Sequence, residues 1–481
     1  MDKAKKVFNN VISQHDYQKA CKAKKKFIKK FNDDSHKNYE LKLTSNEVLN
    51  DLHTQKLELS DQPTAIKVKK PVIIGNIRMG FGHYRISMAM ASCAAALGYT
   101  PIWMDLNSFD QTTAAAIINY QNNLYSKGSR IASKFKLFNK FFWEPLNYEG
   151  FRKLSQNAHD QKVTELTTAL YQHLDKQTPY IATHVWPSQA AIHAGFTNVV
   201  NAIPDNWQMA LHLSEGAIHT VQTPNSYYGY KMLRGMAKNK ILNPMPKDNI
   251  YEVGHYIDHE LVINIEKDCQ QRINRVNNQA PIRYLLTVGG AGSQAELFQE
   301  IIKNLITKVK KEQACIFINV GDHKAVLDSL IKAIPELKNA TCHYNNYQDA
   351  KDFVKQYYDN NCTGIHLFYE EDIFAAVYTT NLLMRISDVM ITKPSELAFY
   401  PIPKIFIHRI GGHEKWGAIH AAEIGDGTYE CESIPETIAM LNLFNQEPEH
   451  IIKMCNYIIR NKQIGIYDGG YNVVKLATGT Y

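Results

Sequence analysis

Two glycine-rich turns are the first features of this chain that could do chemistry. Gly80-Phe81-Gly82-His83 stands between a strand-like and a helix-like segment, and Gly289-Gly290-Ala291-Gly292-Ser293 holds the same place in a second series. Glycines let backbone N–H groups approach a ligand closely, and a helix N-terminus carries about half a positive charge. Both turns therefore suit a phosphate-like anion, and His83 suits proton transfer because imidazole titrates near ~6.5.

The first turn also has a simpler interpretation, a tight turn with a surface histidine. It lacks the third glycine of a dinucleotide fingerprint, where Arg85 or Ile86 stands, and Asp105 only loosely matches the expected acidic residue. Neither turn has the Gly-Lys-Ser/Thr of a Walker loop, which disfavours mononucleotide kinase or ATPase chemistry.

A third cluster holds Lys393-Pro394-Ser395-Glu396 after a strand-like run, then Gly411-Gly412-His413-Glu414 before a helix-like one. Each residue alone has a structural explanation, since Ser395 can cap a helix and Pro394 can end a strand. Their order predicts two carboxylates at adjacent strand-to-helix loops, where they suit ribose or sugar hydroxyls.

The elements that must position these residues come in two series. Short β-branched runs alternate with helical spacing from residue 71 and again from residue 282, after an Asn- and Arg-rich gap at 266–281. This alternation predicts an α/β fold with two doubly wound, Rossmann-like domains at 71–265 and 281–449. A Lys-rich, helical extension is expected at 1–70, and a helix and tail at 450–481. Predicted strands are 71–77, 99–104, 180–184, 198–203, 217–222, 251–256, 282–288, 314–320, 364–368, 388–392 and 404–407.

Composition excludes several classes of protein. The 481 residues suffice for two or three domains, and 44% hydrophobic with 21% charged residues excludes disordered, collagen-like and disulfide-scaffold chains. The eight cysteines are dispersed with no C-x-x-C pair, which predicts reduced core residues and neither metal ligands nor bridges. No apolar run approaches the ~7–15 residues of a signal-peptide core or the ~20 of a membrane span, so we expect a cytoplasmic protein.

The net charge of +7 is concentrated near the start of the chain. Basic and acidic residues balance over 71–481, so the excess lies within residues 1–70, densest at Lys24–Lys30. A solvated helix or mobile arm, attraction to an anionic surface, or nucleic-acid binding would each explain it. The lack of interleaved aromatic residues and arginine disfavours nucleic acid.

A second basic stretch, from Ser126 to Trp143, contains no acidic residue. Its composition predicts either an interfacial helix that admits a lipid or a core-packed helix with lysines in water. Its basic and apolar members are Lys127, Arg130, Lys134, Lys136 and Lys140 with Ile131, Phe135, Leu137, Phe138, Phe141, Phe142 and Trp143.

The order of the second-series motifs resembles that of nucleotide-sugar glycosyltransferases of the GT-B fold. The resemblance is strongest to monogalactosyldiacylglycerol synthases, processive diacylglycerol glucosyltransferases and the lipid-linked N-acetylglucosaminyltransferase of peptidoglycan synthesis. It covers about residues 71–460 and includes Ile203-Pro204-Asp205, where that family has Thr-Asp after a strand. Phe81 replaces a family glycine, and a Gly-Gly-Leu-Thr segment before Ser395 is missing.

The resemblance implies an acceptor domain and a nucleotide-sugar domain facing across a cleft. It implies transfer of a hexose from a nucleotide sugar, UDP-sugar favoured, to an acceptor hydroxyl, with a lipid acceptor and a peripheral place on the inner face of the membrane. His83 and Asp205 are the catalytic candidates, and Gly80, Phe81 and Gly82 form the acceptor-side turn. The residues expected at the nucleotide sugar are Gly289, Gly290, Gly292, Ser293, Lys393, Ser395, Glu396, His413 and Glu414.

The expected transfer is metal-independent and inverting, because helix N-termini and N–H groups can stabilise the leaving diphosphate and the chain has no Asp-x-Asp motif. No metal and no cofactor besides the co-substrate is expected, and no nucleic-acid partner. Two alternatives remain: a sugar-nucleotide epimerase of the same fold, and a non-catalytic protein that binds nucleotide sugars.

Overall fold

The computed structural model describes residues 2–62, 66–134, 149–238, 240–287 and 294–481. The chain divides into two compact units, each built on a largely parallel sheet. The first unit comprises residues 1–79, 86–259 and 468–481, and the second comprises residues 80–85 and 260–467. These sheets confirm the predicted α/β class with two doubly wound domains.

The first unit contains an eight-stranded sheet with the order β10-β9-β8-β7-β5-β6-β4-β3. Its strands are parallel except β3, which runs antiparallel to β4. A separate hairpin, β1-β2, precedes it. The strands are β1 (Lys6–Val7), β2 (Asn10–Val11), β3 (Leu41–Thr44), β4 (Gln55–Leu59), β5 (Pro71–Asn76), β6 (Thr100–Asp105), β7 (Tyr180–Ala182), β8 (Val199–Ala202), β9 (Ile218–Val221) and β10 (Ile250–Glu252).

The second unit contains a seven-stranded parallel sheet with the order β13-β14-β12-β11-β15-β16-β17. The sequence did not predict its two edge strands, β13 and β17. Both are four residues long and partly exposed, so they lack the continuous apolar run of a central parallel strand. The strands are β11 (Ile282–Thr287), β12 (Ala314–Asn319), β13 (Thr341–Tyr344), β14 (Gly364–Tyr369), β15 (Val389–Thr392), β16 (Lys404–Phe406) and β17 (Gly427–Glu430).

Helices connect the strands in both units. Those that precede residue 259 are α1 (Gln14–Phe31), α2 (Glu47–Asp51), α3 (Gly82–Ala96), α4 (Thr113–Lys134), α5 (Leu154–Thr164), α6 (Val185–His193) and α7 (Pro224–Lys231). The later ones are α8 (His259–Asn277), α9 (Ala295–Val309), α10 (Lys324–Ala333), α11 (Tyr347–Tyr357), α12 (Ile373–Met384), α13 (Lys415–Ile424), α14 (Ile434–Gln446), α15 (Glu449–Gln463) and α16 (Gly469–Thr478).

Residues 1–70 are part of the first unit, which corrects the prediction of a separate extension. Strands β3 and β4 extend the main sheet, and the side chains of Val7 and Phe8 are buried in its core. Helix α1 packs Phe27 and Phe31 against α4 and α5. Its opposite face carries the exposed side chains of Lys19, Lys22, Lys26 and Lys29. The lysine count therefore reflects the solvated face of an amphipathic helix, which concealed its buried face.

The gap expected at residues 266–281 is largely helix α8, and the boundary between the units falls at residue 259 instead of 265. Within the expected gap, the buried face of α8 carries charged side chains, whereas most of its apolar buried residues lie before the gap, at 261–265. Arg272 donates to the carbonyl oxygens of Ser387 and Met384, each at 2.8 Å, and Arg275 pairs with Asp388 at 2.8 Å. Because the apolar periodicity weakens after residue 265, the sequence gives no helix signal over this part.

The C-terminal segment divides between the units. Helix α15 belongs to the second unit, whereas residues 468–481 with α16 belong to the first. A Cβ atom added to Gly470 would lie 2.7 Å from the Sγ atom of Cys93, so α16 packs on α3 only because that residue lacks a side chain. Within the described residues, no helix combines the length and apolar character that crossing a membrane requires.

Candidate functional site

The second sheet reverses its strand order between β11 and β15. The chain adds β12, β14 and β13 on one side of β11 and then returns to place β15, β16 and β17 on the other. In open α/β sheets, ligands bind at such a switch point, beyond the carboxyl ends of the strands. The loops after β11, β15 and β16 carry the second glycine-rich turn and the two parts of the third cluster. Of these, Gly289, Gly290, Gly292 and Ser293 lie outside the described residues.

Glu396 follows β15 and begins a short 3-10 helix, Glu396–Phe399. Its side chain is 18% exposed, and its Oε1 atom lies 3.7 Å from Nε of Arg85. A Cβ atom added to Gly82 would lie 3.2 Å from the Oε2 atom of Glu396. Segment 80–85, which groups with the second unit, therefore brings the predicted turn residue Gly82 against the predicted nucleotide residue Glu396.

Arg85 holds this arrangement and was not predicted as a site residue. Its guanidinium is buried and donates to Oδ1 of Asn381 at 2.5 Å and to the carbonyl oxygen of Val377 at 3.2 Å, both on α12. These bonds fix a positive charge beside the carboxylate of Glu396. The sequence indicates this role in one way: Arg85, a charged residue, stands about where a dinucleotide fingerprint has its third glycine.

Phe81 stands where the family that the sequence resembles has a glycine, and its side chain has a packing role in this protein. Its ring is buried and stacks on His323, with centroids 5.3 Å apart, and it lies over Gly321. A Cβ atom on Gly321 would be 2.6 Å from that ring. Phe81 is thus an anchor for the turn, whereas Gly80 is exposed with φ +71° and supplies its left-handed conformation.

Glu414 is buried, and both of its oxygens have partners. Oε1 pairs with Nζ of Lys393, and Oε2 accepts from the N–H groups of Ile410 and Gly411 at 2.8 and 3.1 Å. Burial alone raises the pKa of Glu414, but the charges of Lys393 and His413 with these bonds outweigh it and lower the pKa. Glu414 and Lys393 therefore hold the loop after β16, and neither presents an unpaired charge to a sugar.

The remaining predicted residues of this edge differ in their surroundings. His413 is partly exposed, and its Nδ1 atom has no hydrogen-bond partner among the described residues. Ser395 is partly exposed, and its side chain makes no capping bond to the helix that follows. His83, the second residue of α3, is also partly exposed.

Asp205 lies in the first unit, in the loop after β8. Its Oδ2 atom is 3.2 Å from Nε2 of His212, whose Nδ1 atom is 2.6 Å from Oη of Tyr230. The structure therefore gives Asp205 a histidine partner that was not predicted. Of the basic aromatic stretch at 126–143, residues 126–134 end helix α4, and residues 135–143 lie outside the described part.

Comparison with known proteins adds family and fold information. Residues 6–232 match the model described as Domain of unknown function (DUF6937), and residues 245–478 match Domain of unknown function (DUF6938). No curated protein in the comparison matches the chain.

Three solved structures illustrate the similarity in chain course. UDP-GlcNAc 2-epimerase from Neisseria meningitidis bound to UDP-GlcNAc has 10% identity and a TM-score of 0.44, covering 85% of this chain and 97% of that one. MurG from Acinetobacter baumannii has 11% identity and a TM-score of 0.43, with 85% and 100% covered. An α,α-trehalose 6-phosphate synthase from Burkholderia multivorans has 10% and 0.44, with 86% and 99% covered. At these values, residue roles in this chain rest on the geometry described above.

Proposed function

We propose that this protein is a glycosyltransferase of the GT-B type that moves a hexose from a nucleotide sugar, with UDP-sugar favoured, to an acceptor hydroxyl. The observation that carries the proposal is Glu396 at the switch point of the second sheet, fixed beside Arg85 and in contact with Gly82. A carboxylate in this position accepts hydrogen bonds from two ribose hydroxyls. The neighbouring cation reduces the repulsion between that carboxylate and the diphosphate.

The proposed transfer has three parts: deprotonation of the acceptor, bond formation at the sugar carbon and departure of the diphosphate. The imidazole of His83 takes the proton of the acceptor hydroxyl, and the new bond forms at the sugar carbon as the bond to the diphosphate breaks. The leaving diphosphate is stabilised by the N-terminus of α9. Direct attack by the acceptor inverts the configuration of the sugar.

Nucleotide binding is the first test, and Glu396→Gln is the informative variant. We expect UDP to raise the thermal unfolding temperature of the wild-type protein, and the variant to bind UDP about 10–100-fold more weakly. A hydrogen bond to a charged group contributes about 1.5–3 kcal/mol, and ~1.4 kcal/mol corresponds to tenfold in affinity. Affinity is measured by calorimetry, with Glu423→Gln, an exposed glutamate of α13, as control.

Three results would count against this assignment. They are the absence of any shift across a panel of nucleotides, equal UDP affinity in the wild-type protein and Glu396→Gln, and an equal loss in Glu423→Gln. A UDP-release assay with a lipid extract then tests the transfer itself. Conversion of the sugar nucleotide without an acceptor would indicate the epimerase, and binding without release would indicate a non-catalytic protein.

The proposed acceptor is a lipid hydroxyl at an anionic membrane surface. Two basic features support this choice: the aromatic stretch at 126–143 and the exposed lysine face of α1. Each lysine near an anionic leaflet contributes about 1 kcal/mol. Residues 1–30 include buried core positions, so side-chain substitution is a cleaner test than deletion.

We expect glutamine substitution of the α1 lysines to reduce flotation with vesicles that contain anionic lipid, while UDP binding stays unchanged. The loss should be largest at low salt, because charge attraction is screened by ions. A variant with equal charge loss on the second unit serves as control. Equal flotation of the two variants, or none of the wild-type protein, would contradict the membrane assignment. The test variant changes Lys19, Lys22, Lys26 and Lys29, and the control changes Lys303, Lys311, Lys332 and Lys338.

A further inference from the structure

Three ligand-type side chains meet at the amino-terminal edge of the second sheet. Cys315 lies on β12, Cys362 lies two residues before β14, and His366 lies on β14. The Sγ atoms of the cysteines are 3.6 Å apart, and Sγ of Cys362 is 3.5 Å from Nε2 of His366. All three ligand atoms lie within 4.8 Å of one another, and the residues are at most 6% exposed. The sheet therefore brings together two cysteines, Cys315 and Cys362, that are far apart in sequence and are predicted to be dispersed core residues.

These separations match a tetrahedral metal site. Zinc binds sulfur at about 2.3 Å and imidazole nitrogen at about 2.0–2.1 Å, which places two sulfurs about 3.8 Å apart and sulfur and nitrogen about 3.6 Å apart. The sulfur–sulfur separation of 3.6 Å and the separation of 3.5 Å between Cys362 and His366 lie close to these values. The carbonyl oxygen of Thr363, 3.0 Å from Nε2 of His366, is a further oxygen at this place that can bind a metal ion.

A chain of three groups orients the imidazole of His366. Oδ2 of Asp349 lies 2.6 Å from Nδ1 of His343, and Nε2 of His343 lies 3.4 Å from Nδ1 of His366. A carboxylate only accepts, so Nδ1 of His343 carries the proton and its Nε2 faces Nδ1 of His366. The carbonyl oxygen of Thr363 also only accepts, so without a metal Nε2–H of His366 donates to it. Metal binding at Nε2 moves this proton to Nδ1, which then donates to His343. This Asp349–His343 support for the second ring nitrogen is typical of metal-ligating histidines.

Cysteine and histidine side chains suit a soft ion such as Zn²⁺. Arg283, in register with Cys315 on the adjacent strand, is buried and uses its guanidinium for hydrogen bonds to backbone carbonyl oxygens. The buried ring of Phe353 packs against His343 and His366 and closes the site from water.

We propose that Cys315, Cys362 and His366 bind a Zn²⁺ ion, with the carbonyl oxygen of Thr363 as the fourth ligand. Binding releases the two thiol protons to solvent and changes no oxidation state. The ion joins the segment before β14 to β12. It lies at the edge of the sheet opposite the switch point, so its role is structural and independent of the proposed glycosyl transfer.

Metal analysis of the full-length protein tests the proposal. We expect about one Zn²⁺ per chain after purification without chelator, and Co²⁺ substitution should give a sulfur-to-metal charge-transfer absorption band. Cys362→Ser and His366→Gln should lose both the ion and the band. Cys342→Ser, which removes an exposed thiol of β13, and Cys455→Ser, which removes a buried one elsewhere in the unit, should retain both.

Asp349→Asn separates metal support from general packing, since Asp349 is partly exposed and touches the site only through His343. We expect its Zn²⁺ affinity, measured by chelator competition, to fall about 10–100-fold. The proposal is overturned if folded wild-type protein takes up neither Zn²⁺ nor Co²⁺, or if mass spectrometry finds a Cys315–Cys362 disulfide in the protein as isolated. Metal retention in Cys362→Ser would overturn it equally.

Discussion

Replacement of His83 by alanine is expected to lower UDP-sugar turnover by about 10²–10⁴-fold while UDP affinity is retained. A positioned acid–base group typically contributes this factor to a reaction that includes proton transfer. Without the imidazole, the acceptor hydroxyl must lose its proton to water as the bond to the sugar forms. Turnover is measured as UDP release with saturating donor and acceptor lipid, and affinity is measured by calorimetry.

The position of His83 is the structural reason for this choice. The residues on either side are fixed: Phe81 stacks on His323, and Arg85 is bonded to α12 and pairs with Glu396. The imidazole is therefore held on a rigid turn beside the proposed nucleotide site. Alanine is the best helix former, so the substitution keeps the first turn of α3.

Asp205→Asn is the paired experiment, because Asp205 is the second candidate for the base. Its contact with His212 gives it a separate histidine partner, so we expect a smaller loss of turnover than in His83→Ala. His15→Ala, an exposed histidine of α1, controls for loss of an imidazole elsewhere. Wild-type turnover in His83→Ala together with loss in Asp205→Asn would move the role of base to Asp205.

Most central strands were predictable from the sequence because both faces of a parallel sheet are covered. Buried runs such as Ile282–Thr287 and Ala314–Asn319 appear as continuous apolar segments with few interruptions. Strands β3 and β4 lack this signal, since they are partly exposed. Helix α8 also lacks it, because its buried face carries Arg272 and Arg275.

The candidate site was predictable where its residues adjoin glycine motifs and less so where contacts join distant segments. Glu396 follows a strand end, and its place at the switch point agrees with its motif. Its ion pair with Arg85 joins residues far apart in sequence, and no local pattern encodes it. Glu414 shows the opposite case. The 411–414 motif predicts a carboxylate that binds a sugar, but both oxygens of Glu414 are bonded to other groups of the protein.

Asp426→Ala is expected to lower the free energy of unfolding of the second unit by about 3–5 kcal/mol. Its Oδ1 atom pairs with Nζ of Lys404 at 2.8 Å, and both side chains are completely buried. Nζ of Lys404 also donates to the carbonyl oxygen of Tyr400 at 2.6 Å, and Oδ2 of Asp426 accepts from Oη of Tyr467 at 2.8 Å. Removing one partner leaves a buried charge without compensation, which accounts for the magnitude.

Burial also explains why replacing both partners together should cost less than the two single replacements added. Desolvation raises the pKa of Asp426 and lowers that of Lys404, so each charge is costly without the other. The double variant Lys404→Met, Asp426→Leu removes both charges and fills similar volume. We expect its loss of unfolding free energy to be well below the sum of the losses for the single changes, as measured by urea unfolding.

A surface pair provides the matched control. Lys310 and Glu336 are 3.1 Å apart, with side chains 64% and 44% exposed, and Glu336→Ala should leave the free energy of unfolding nearly unchanged. If Asp426→Ala costs no more than Glu336→Ala, the buried pair does not constrain the edge of the sheet. If instead the single losses simply add in the double variant, the two charges are not coupled. Coupling assigns Lys404 and Asp426, which flank the 411–414 motif in sequence, to the support of β16 and β17.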